Sequence, residues 1–512
     1  MNLSENRKKP GNRLLCVLSV ILLTASALCF FSADWYVRVY GNTGFDSIIF
    51  TLTGGLNGVQ SDLVKSYLLG GFLPAVLCIA VLQLLLFFPE NDFRLALPLF
   101  GKKRQLFPFP RWLSMILAVV IFFSMITAAG NKVGLFTYLR NLNNVGEIYE
   151  QEYRDPKDVQ ITFPEEKRNL VYIMLESMET SYLSEDLGGA RPYNLIPELY
   201  DLAMENTNFS HNTGIGGLVE VPGVSWTIGS MVGQTSGIPL RVPQGIDDWQ
   251  NGYGKDGIFL PGVTSLSDIL AENGYNQALM VGSDAKFGGR KTYYDTHGTD
   301  KIYDIYTAWQ DKVIPHGYFV WWGMEDKHLF EYARQELTEL GQSDEPFAFT
   351  MLTVDTHHIG GYQCSYCTDE FEETYEQSIS CSSRQVLAFV NWLKEQPFYE
   401  NTTVVITGDH LSMDNGYFQR NVDPGYDRMV YNCILGSAIP ADHTKNREYC
   451  AVDLFPTTLA ALGCTIEGDR LGLGVNLFSN LPTLSERWGY DRFNAELSKA
   501  SDFYSQNFYT AP

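Results

Sequence analysis

Asn169-Leu170-Val171-Tyr172-Ile173-Met174-Leu175-Glu176-Ser177 is the stretch on which the fold turns. Its apolar run is short and shows no alternation of apolar and polar residues, which marks a strand covered on both faces. It then breaks off into a carboxylate and a hydroxyl. The same pattern recurs twice: Phe347–Val354 leads into Asp355-Thr356-His357-His358, and Thr403–Thr407 leads into Gly408-Asp409-His410. Ala278–Val281 is a fourth short apolar run, and amphipathic helical patterns lie at Thr264–Glu272, Lys327–Leu340, Ser382–Glu395 and Asp453–Leu462. This alternation predicts an α/β fold, a mainly parallel sheet sandwiched by helices. Ligands of such sheets gather beyond the carboxyl ends of the strands. The polar residues after the three runs are therefore expected on one rim.

Upstream, the chain changes character. Leu14–Phe31, Ser66–Phe88 and Trp112–Ala129 are apolar, each near the ~20 residues needed to cross a bilayer. Arg7, Lys8, Lys9 and Arg13 precede the first; Arg94, Lys102, Lys103, Arg104 and Arg111 lie between the second and third. The loop between the first and second carries only Arg38 and Lys65. Basic loops stay in the cytoplasm, so the N-terminus is expected inside and everything after the third span outside. The alternative is a first span that is a core helix, which would reverse the side. The expected organisation is a transmembrane region over 1–130, a juxtamembrane linker over 131–168 and an extracytoplasmic domain over 169–512, in a multi-pass protein of the cell membrane.

Hydrophobic residues make up 45% of the chain and charged residues 19%, and the formal net charge is −22. That balance excludes a nucleic-acid binder, which needs a positive footprint on phosphates. An anionic substrate must instead be held by a local cation. Of the nine cysteines, Cys16, Cys29 and Cys78 lie in apolar segments. Cys364, Cys367, Cys381, Cys433, Cys450 and Cys464 fall in the soluble part. Cys364-x-x-Cys367 has no second CxxC after it, and a disulfide within Cys364, Cys367 and Cys381 is expected of an exported domain.

Glu176, Asp409 and His410 are hard-to-borderline metal ligands. Taken singly, Glu176 could cap a helix and Asp409-His410 could be an ordinary turn; three such residues at the ends of two strands point to a metal. A nucleophile is sought in Pro222-Gly223-Val224-Ser225-Trp226-Thr227-Ile228-Gly229-Ser230, where a hydroxyl at a helix start faces free backbone N–H groups. Spacing alone favours Ser225 or Thr227 as a simple N-cap.

Taken together, Asn169–Ser177, Trp226–Met231 with Ser236-Gly237-Ile238-Pro239-Leu240, Asp355–His358 and Gly408–His410 resemble the lipoteichoic acid synthase and phosphoglycerol transferase family, within the alkaline phosphatase/sulfatase superfamily. Lys286–Arg290, His297–Asp300, Asp453–Thr457 and Leu471–Gly474 extend the resemblance over most of 169–480. It implies a sulfatase-like domain that moves glycerol phosphate from phosphatidylglycerol to a glycan or teichoic-type acceptor. It implies Thr227 as nucleophile, Glu176, Thr227, Asp409 and His410 as ligands of one divalent metal (manganese, with magnesium or zinc as alternatives), and Arg290, His357 and His358 as substrate-binding residues. Ile359 stands where many relatives have proline, and Cys381-Ser382-Ser383-Arg384 does not make a formylglycine sulfatase signature. A phosphoethanolamine transferase of the same superfamily and a non-catalytic membrane receptor for polymers are the competing readings.

Overall fold

The computed structural model describes residues 10–41, 44–54, 61–86, 95–99, 102–107, 109, 111–241 and 257–510. Of the residues weighed for orientation, Arg7, Lys8, Lys9 and Arg94 lie outside these, as do Phe87 and Phe88 of the second apolar stretch. The chain divides into two compact units, one of residues 1–42 and 59–137, the other of 43–58 and 138–512.

The first unit is built on α1 (Pro10–Tyr40), α2 (Ser61–Tyr67), α3 (Leu73–Leu86) and α4 (Arg111–Lys132), with a π-helical turn at Leu68–Phe72 joining α2 to α3. Three stretches, Leu14–Tyr40, Leu63–Leu86 and Trp112–Lys132, are long and apolar enough to cross a membrane. In each, the helix satisfies its own backbone donors and acceptors, as a segment in lipid must. Between α3 and α4, β1 (Leu95–Leu99) and β2 (Lys102–Phe107) pair antiparallel.

The second unit is organised by a seven-stranded sheet. Its strands are β3 (Asn169–Leu175), β4 (Gly217–Leu218), β5 (Asn276–Val281), β6 (Lys301–Tyr303), β7 (Phe347–Leu352), β8 (Thr402–Gly408) and β9 (Val430–Leu435). They lie in the order β4-β9-β8-β3-β7-β5-β6. The run from β8 to β6 is parallel, and β9 and β4 add antiparallel pairs at one edge. β3 is central, with Met174 opposite Thr407 and Leu175 opposite Gly408 on β8. Its side chains divide strictly by parity. Leu170, Tyr172 and Met174 enter one hydrophobic cluster, and Val171, Ile173 and Leu175 enter the other. Both faces are buried, which is why the sequence shows a continuous apolar run here.

Helices cover both faces: α5 (Pro197–Glu205), α6 (Thr227–Ser236), α7 (Leu266–Glu272), α8 (Arg290–Thr296), α9 (Asp326–Leu340), α10 (Thr374–Lys394) and α11 (Leu454–Ala461). The α/β expectation holds, as a mixed sheet. The largest departure is α10, which begins at Thr374 rather than Ser382. Its first half buries Ser378, Ser380, Ser382 and Ser383. Ser378 Oγ donates to Thr374 O at 3.0 Å and Ser383 Oγ to Glu198 Oε2 at 2.7 Å, so polar side chains occupy positions where an apolar stripe was sought. Within the stretch read as a linker, Ile148 and Tyr149 are buried, Tyr149 packing edge-on against Tyr504 and Phe508.

The expected disulfide does not form: all nine cysteines are free thiols. Cys364 Sγ lies 3.8 Å from Cys381 Sγ and 3.9 Å from Cys367 Sγ. A disulfide needs about 2.05 Å.

Candidate active site

β3 delivers Glu176 at its carboxyl end, with the side chain almost wholly buried. The glutamate backbone is pinned by its N–H donating to Thr353 Oγ1 at 2.9 Å and by Thr356 Oγ1 donating to its carbonyl. The next residue, Ser177, has φ 54°, a left-handed conformation unfavourable for a side chain with a Cβ. Two bonds hold it there. Its N–H donates to Asp409 Oδ1 at 2.8 Å, and its hydroxyl donates to Glu176 Oε1 at 2.8 Å.

β8 delivers Asp409 and His410 beside it. Asp409 Oδ1 accepts from Ser177 N and from His410 N at 2.7 Å. The other oxygen, Oδ2, is buried and accepts no hydrogen bond. His410 Nδ1 lies 2.8 Å from the Leu411 carbonyl, which can only accept, so Nδ1 carries the proton. Once Nε2 gives up its own proton, as it does on binding a metal, its lone pair lies 3.3 Å from Asp409 Oδ2 and 3.8 Å from Glu176 Oε1. One ligand atom from each of the three residues lies within 4.8 Å of the others. Burial lifts the Asp409 carboxyl to about 7, with Glu176 pushing the same way. Burial opposes charging of His410, but Asp409 and Glu176 outweigh it and hold the ring at about 9. Two carboxylates, one of them with an orphaned buried oxygen, and an imidazole nitrogen facing one another fit a divalent cation well.

Thr227 is the first residue of α6, behind Trp226 in extended conformation. The helix is fixed over the end of β8: Ser230 Oγ donates to the Asp409 carbonyl, and Gln234 Nε2 donates to Gly408 O at 3.2 Å. Thr227 precedes Ser230 by three residues and so shares its face. Its hydroxyl is at the helix N-terminus, where backbone N–H groups and the dipole favour an anion.

Arg290 opens α8. Gly288 and Gly289, with φ 66° and 79°, make the turn that brings it back over the loop. Its Nε donates to Phe287 O at 3.0 Å, and Nη2 donates to Ser283 Oγ at 2.9 Å and Asp284 O at 2.7 Å. Burial lowers its pKa to about 10, against the pull of Glu176, and it remains a cation at neutral pH. His357 Nδ1 donates to the His358 carbonyl at 2.7 Å. The two rings stack at 4.3 Å, and Trp322 lies 4.4 Å from His357 on its other side. Burial lowers His357 to about 4, so it is neutral and its Nε2 is an acceptor. Burial and the neighbouring His357 take His358 well below the ordinary histidine value.

Glu176, Asp409 and His410 thus converge, and α6 is bonded to the same strand end. Glu220 and Trp322 escaped the sequence reading, and Ser177 and Ser230 stood inside the quoted motifs without a role. Glu220 Oε2 accepts from Leu411 N at 3.1 Å, on the loop just past His410, and burial raises its carboxyl. Only its position ahead of Pro222-Gly223 signalled it.

Residues 231–464 match the Sulfatase family model. That stretch is similar to the sulfatases. It spans Arg290, His357, His358, Asp409 and His410; Glu176 and Thr227 lie ahead of the matched residues. The chain is 30% identical over 322 residues to phosphoglycerol transferase I of Xanthomonas campestris pv. campestris, covering 62% of this chain and 43% of the relative. It is 34% identical over 270 residues to phosphoglycerol transferase I of Escherichia coli, covering 51% of this chain and 33% of the relative. It therefore spans less than half the length of either. Among solved structures, the integral membrane protein lipooligosaccharide phosphoethanolamine transferase A of Neisseria meningitidis superposes with a TM-score of 0.50 at 14% identity, covering 88% of this chain and 84% of that one. At that identity the likeness concerns the fold alone, a mixed α/β sheet flanked by helices.

Proposed function

We propose that this protein is a membrane-bound, metal-dependent phosphoglycerol transferase. In this reading residues 1–130 anchor it, 131–168 link, and 169–512 work outside the cell membrane. The donor is phosphatidylglycerol and the acceptor a hydroxyl of an envelope glycan or polyglycerol phosphate. The observation that carries the reading is the buried cluster of Glu176, Asp409 and His410, with the helix that starts at Thr227 bonded to the backbone of Asp409. The activity printed for the two relatives supports the choice of glycerol phosphate.

Glu176, Thr227, Asp409 and His410 would hold one divalent ion, manganese by the family resemblance, with magnesium or zinc compatible with the same donors. When bound, the ion supplies positive charge that lowers the pKa of the threonine hydroxyl and neutralises the phosphoryl oxygens. Thr227 Oγ attacks phosphorus; the Oγ–P bond forms, the bond to the diacylglycerol oxygen breaks, and diacylglycerol leaves carrying a proton. The acceptor hydroxyl then forms its own bond to phosphorus, and Thr227 regains its proton as the Oγ–P bond breaks. Arg290, a cation at neutral pH, pairs with the anionic group. Neutral His357 presents Nε2 as an acceptor, suited to a glycerol hydroxyl rather than to a phosphoryl oxygen.

Thr227→Ala tests the nucleophile. Incubated with labelled phosphatidylglycerol and manganese, the unsubstituted protein should acquire the mass of one glycerophosphoryl group and release diacylglycerol. The variant should do neither, and normal turnover by it would disprove the assignment. Labelled phosphatidylethanolamine in a parallel reaction separates this donor from phosphoethanolamine transfer.

A further inference from the structure

The loop between β7 and α10 carries His357 and His358, and then Cys364 and Cys367. Cys381, from the buried first half of α10, meets them. Around a tetrahedral ion with metal–sulfur bonds of about 2.3 Å, neighbouring sulfurs lie about 3.8 Å apart. The separations of 3.8 and 3.9 Å are that edge length, and all three sulfurs lie within 4.8 Å of one another. Packed thiols alone would also touch at such distances, so the surroundings matter.

Cys364 Sγ accepts from Tyr366 N at 3.4 Å, and Cys367 N donates to Cys364 O at 3.1 Å, closing a tight turn that turns an amide onto the first sulfur. Gln385 Nε2 points at Cys381 Sγ, 3.4 Å away. Donors aimed at sulfur stabilise thiolate charge. On the same loop, Asp355 is buried with both carboxylate oxygens free of any hydrogen bond, within electrostatic reach of Cys364. A buried, unpartnered carboxylate is costly unless a cation is near.

We propose that Cys364, Cys367 and Cys381 form a second metal site that takes a zinc-class divalent ion through three thiolates, with an oxygen donor or water completing the shell. Binding exchanges three S–H bonds for three S–metal bonds and releases the protons to solvent. The ion ties the loop after His357 to α10, holding the substrate side of the pocket without entering the chemistry. The site is independent of the phosphoglycerol reading, because none of its residues belongs to the Glu176–Asp409–His410 cluster.

The test uses the detergent-purified full chain, prepared under reductant and loaded with Co2+. Asp409→Asn, which impairs the other site, should keep thiolate-to-cobalt charge-transfer absorption in the near ultraviolet. Cys367→Ser, at a half-buried position, should lose that absorption and bind about one ion fewer per chain. Absence of the absorption in Asp409→Asn overturns the proposal whether or not the cysteine variant folds. A disulfide among the three cysteines, found by peptide mass analysis of protein isolated without reductant, overturns it as well.

Discussion

Nε2 of His410 faces Oδ2 of Asp409 across 3.3 Å, and the aspartate oxygen accepts no hydrogen bond. Without a cation, only a proton on Nε2 of His410 faces that oxygen, across a distance too long and too poorly aligned to satisfy it. A cation relieves both atoms at once. Asp409→Asn should therefore weaken binding of the catalytic ion by more than ~100-fold, measured by metal titration of the purified chain. Chelation should lower the Tm of the unsubstituted protein, since an ion at a hundred times its Kd contributes about 2.7 kcal/mol.

Ser177 orients Glu176 by the hydroxyl bond to Oε1 while sitting at φ 54°. Ser177→Ala should leave the fold intact and reduce metal affinity ~10-fold, the loss of one group that orients a ligand. Ser177→Gly should relieve the backbone yet show the same affinity loss. Titrating both with Mn2+ separates orientation from strain.

Asp453 directly precedes the helix bearing Phe455 and Thr457. Its carboxylate accepts from Cys450 N and Val475 N, each at 2.9 Å. Burial lifts it to about 7 from an ordinary 3.8. The folded state therefore holds the proton more tightly than the unfolded state. The stabilisation is complete below 3.8 and is lost as pH rises through about 7, on the order of 4 kcal/mol in all. Asp453→Asn loses one acceptor at every pH but escapes this slope. Its Tm should rise relative to the parent between pH 4 and pH 7, as followed by intrinsic fluorescence.

Glu179 is fully buried and accepts from Arg428 Nε at 2.7 Å, from Arg428 Nη2 and from Ser412 N at 3.0 Å. The pair braces the segment just after His410. Arg428→Met leaves the glutamate charge buried and unpaired, which should cost about 3–5 kcal/mol. Arg428→Met combined with Glu179→Gln should recover part of the lost Tm in thermal melts.

The elements that could be read from sequence are those whose side chains all meet the same environment. β3 is apolar on both faces, and its bounds were legible to the residue. β9 was not read, because Asn432 interrupts Val-Tyr-Asn-Cys-Ile-Leu. Its side chain accepts from Phe209 N at 3.1 Å and donates to Phe209 O at 2.8 Å, bonds that only the folded chain supplies. The site divides the same way. Glu176, Asp409 and His410 announced themselves by following strands. Ser230 and Glu220 act through partners far along the chain, and Ser177 acts on Glu176 from a left-handed backbone that Asp409 helps to hold; a serine or glutamate carries no local mark of either. The three sulfurs were grouped from sequence, but as a disulfide: an exported domain favours that reading, and only the folded chain shows three thiols held about 3.8 Å apart.

The pairing of Leu175 with Gly408 has one more consequence. Glu176 and Asp409 are each the next residue on adjacent parallel strands, so the interval between their backbones is inherited from the spacing of the ladders, about 4.8 Å in any sheet. Side-chain substitution elsewhere cannot stretch it. The loops that choose donor and acceptor can diverge freely around a ligand pair whose gauge is set by peptide hydrogen bonds.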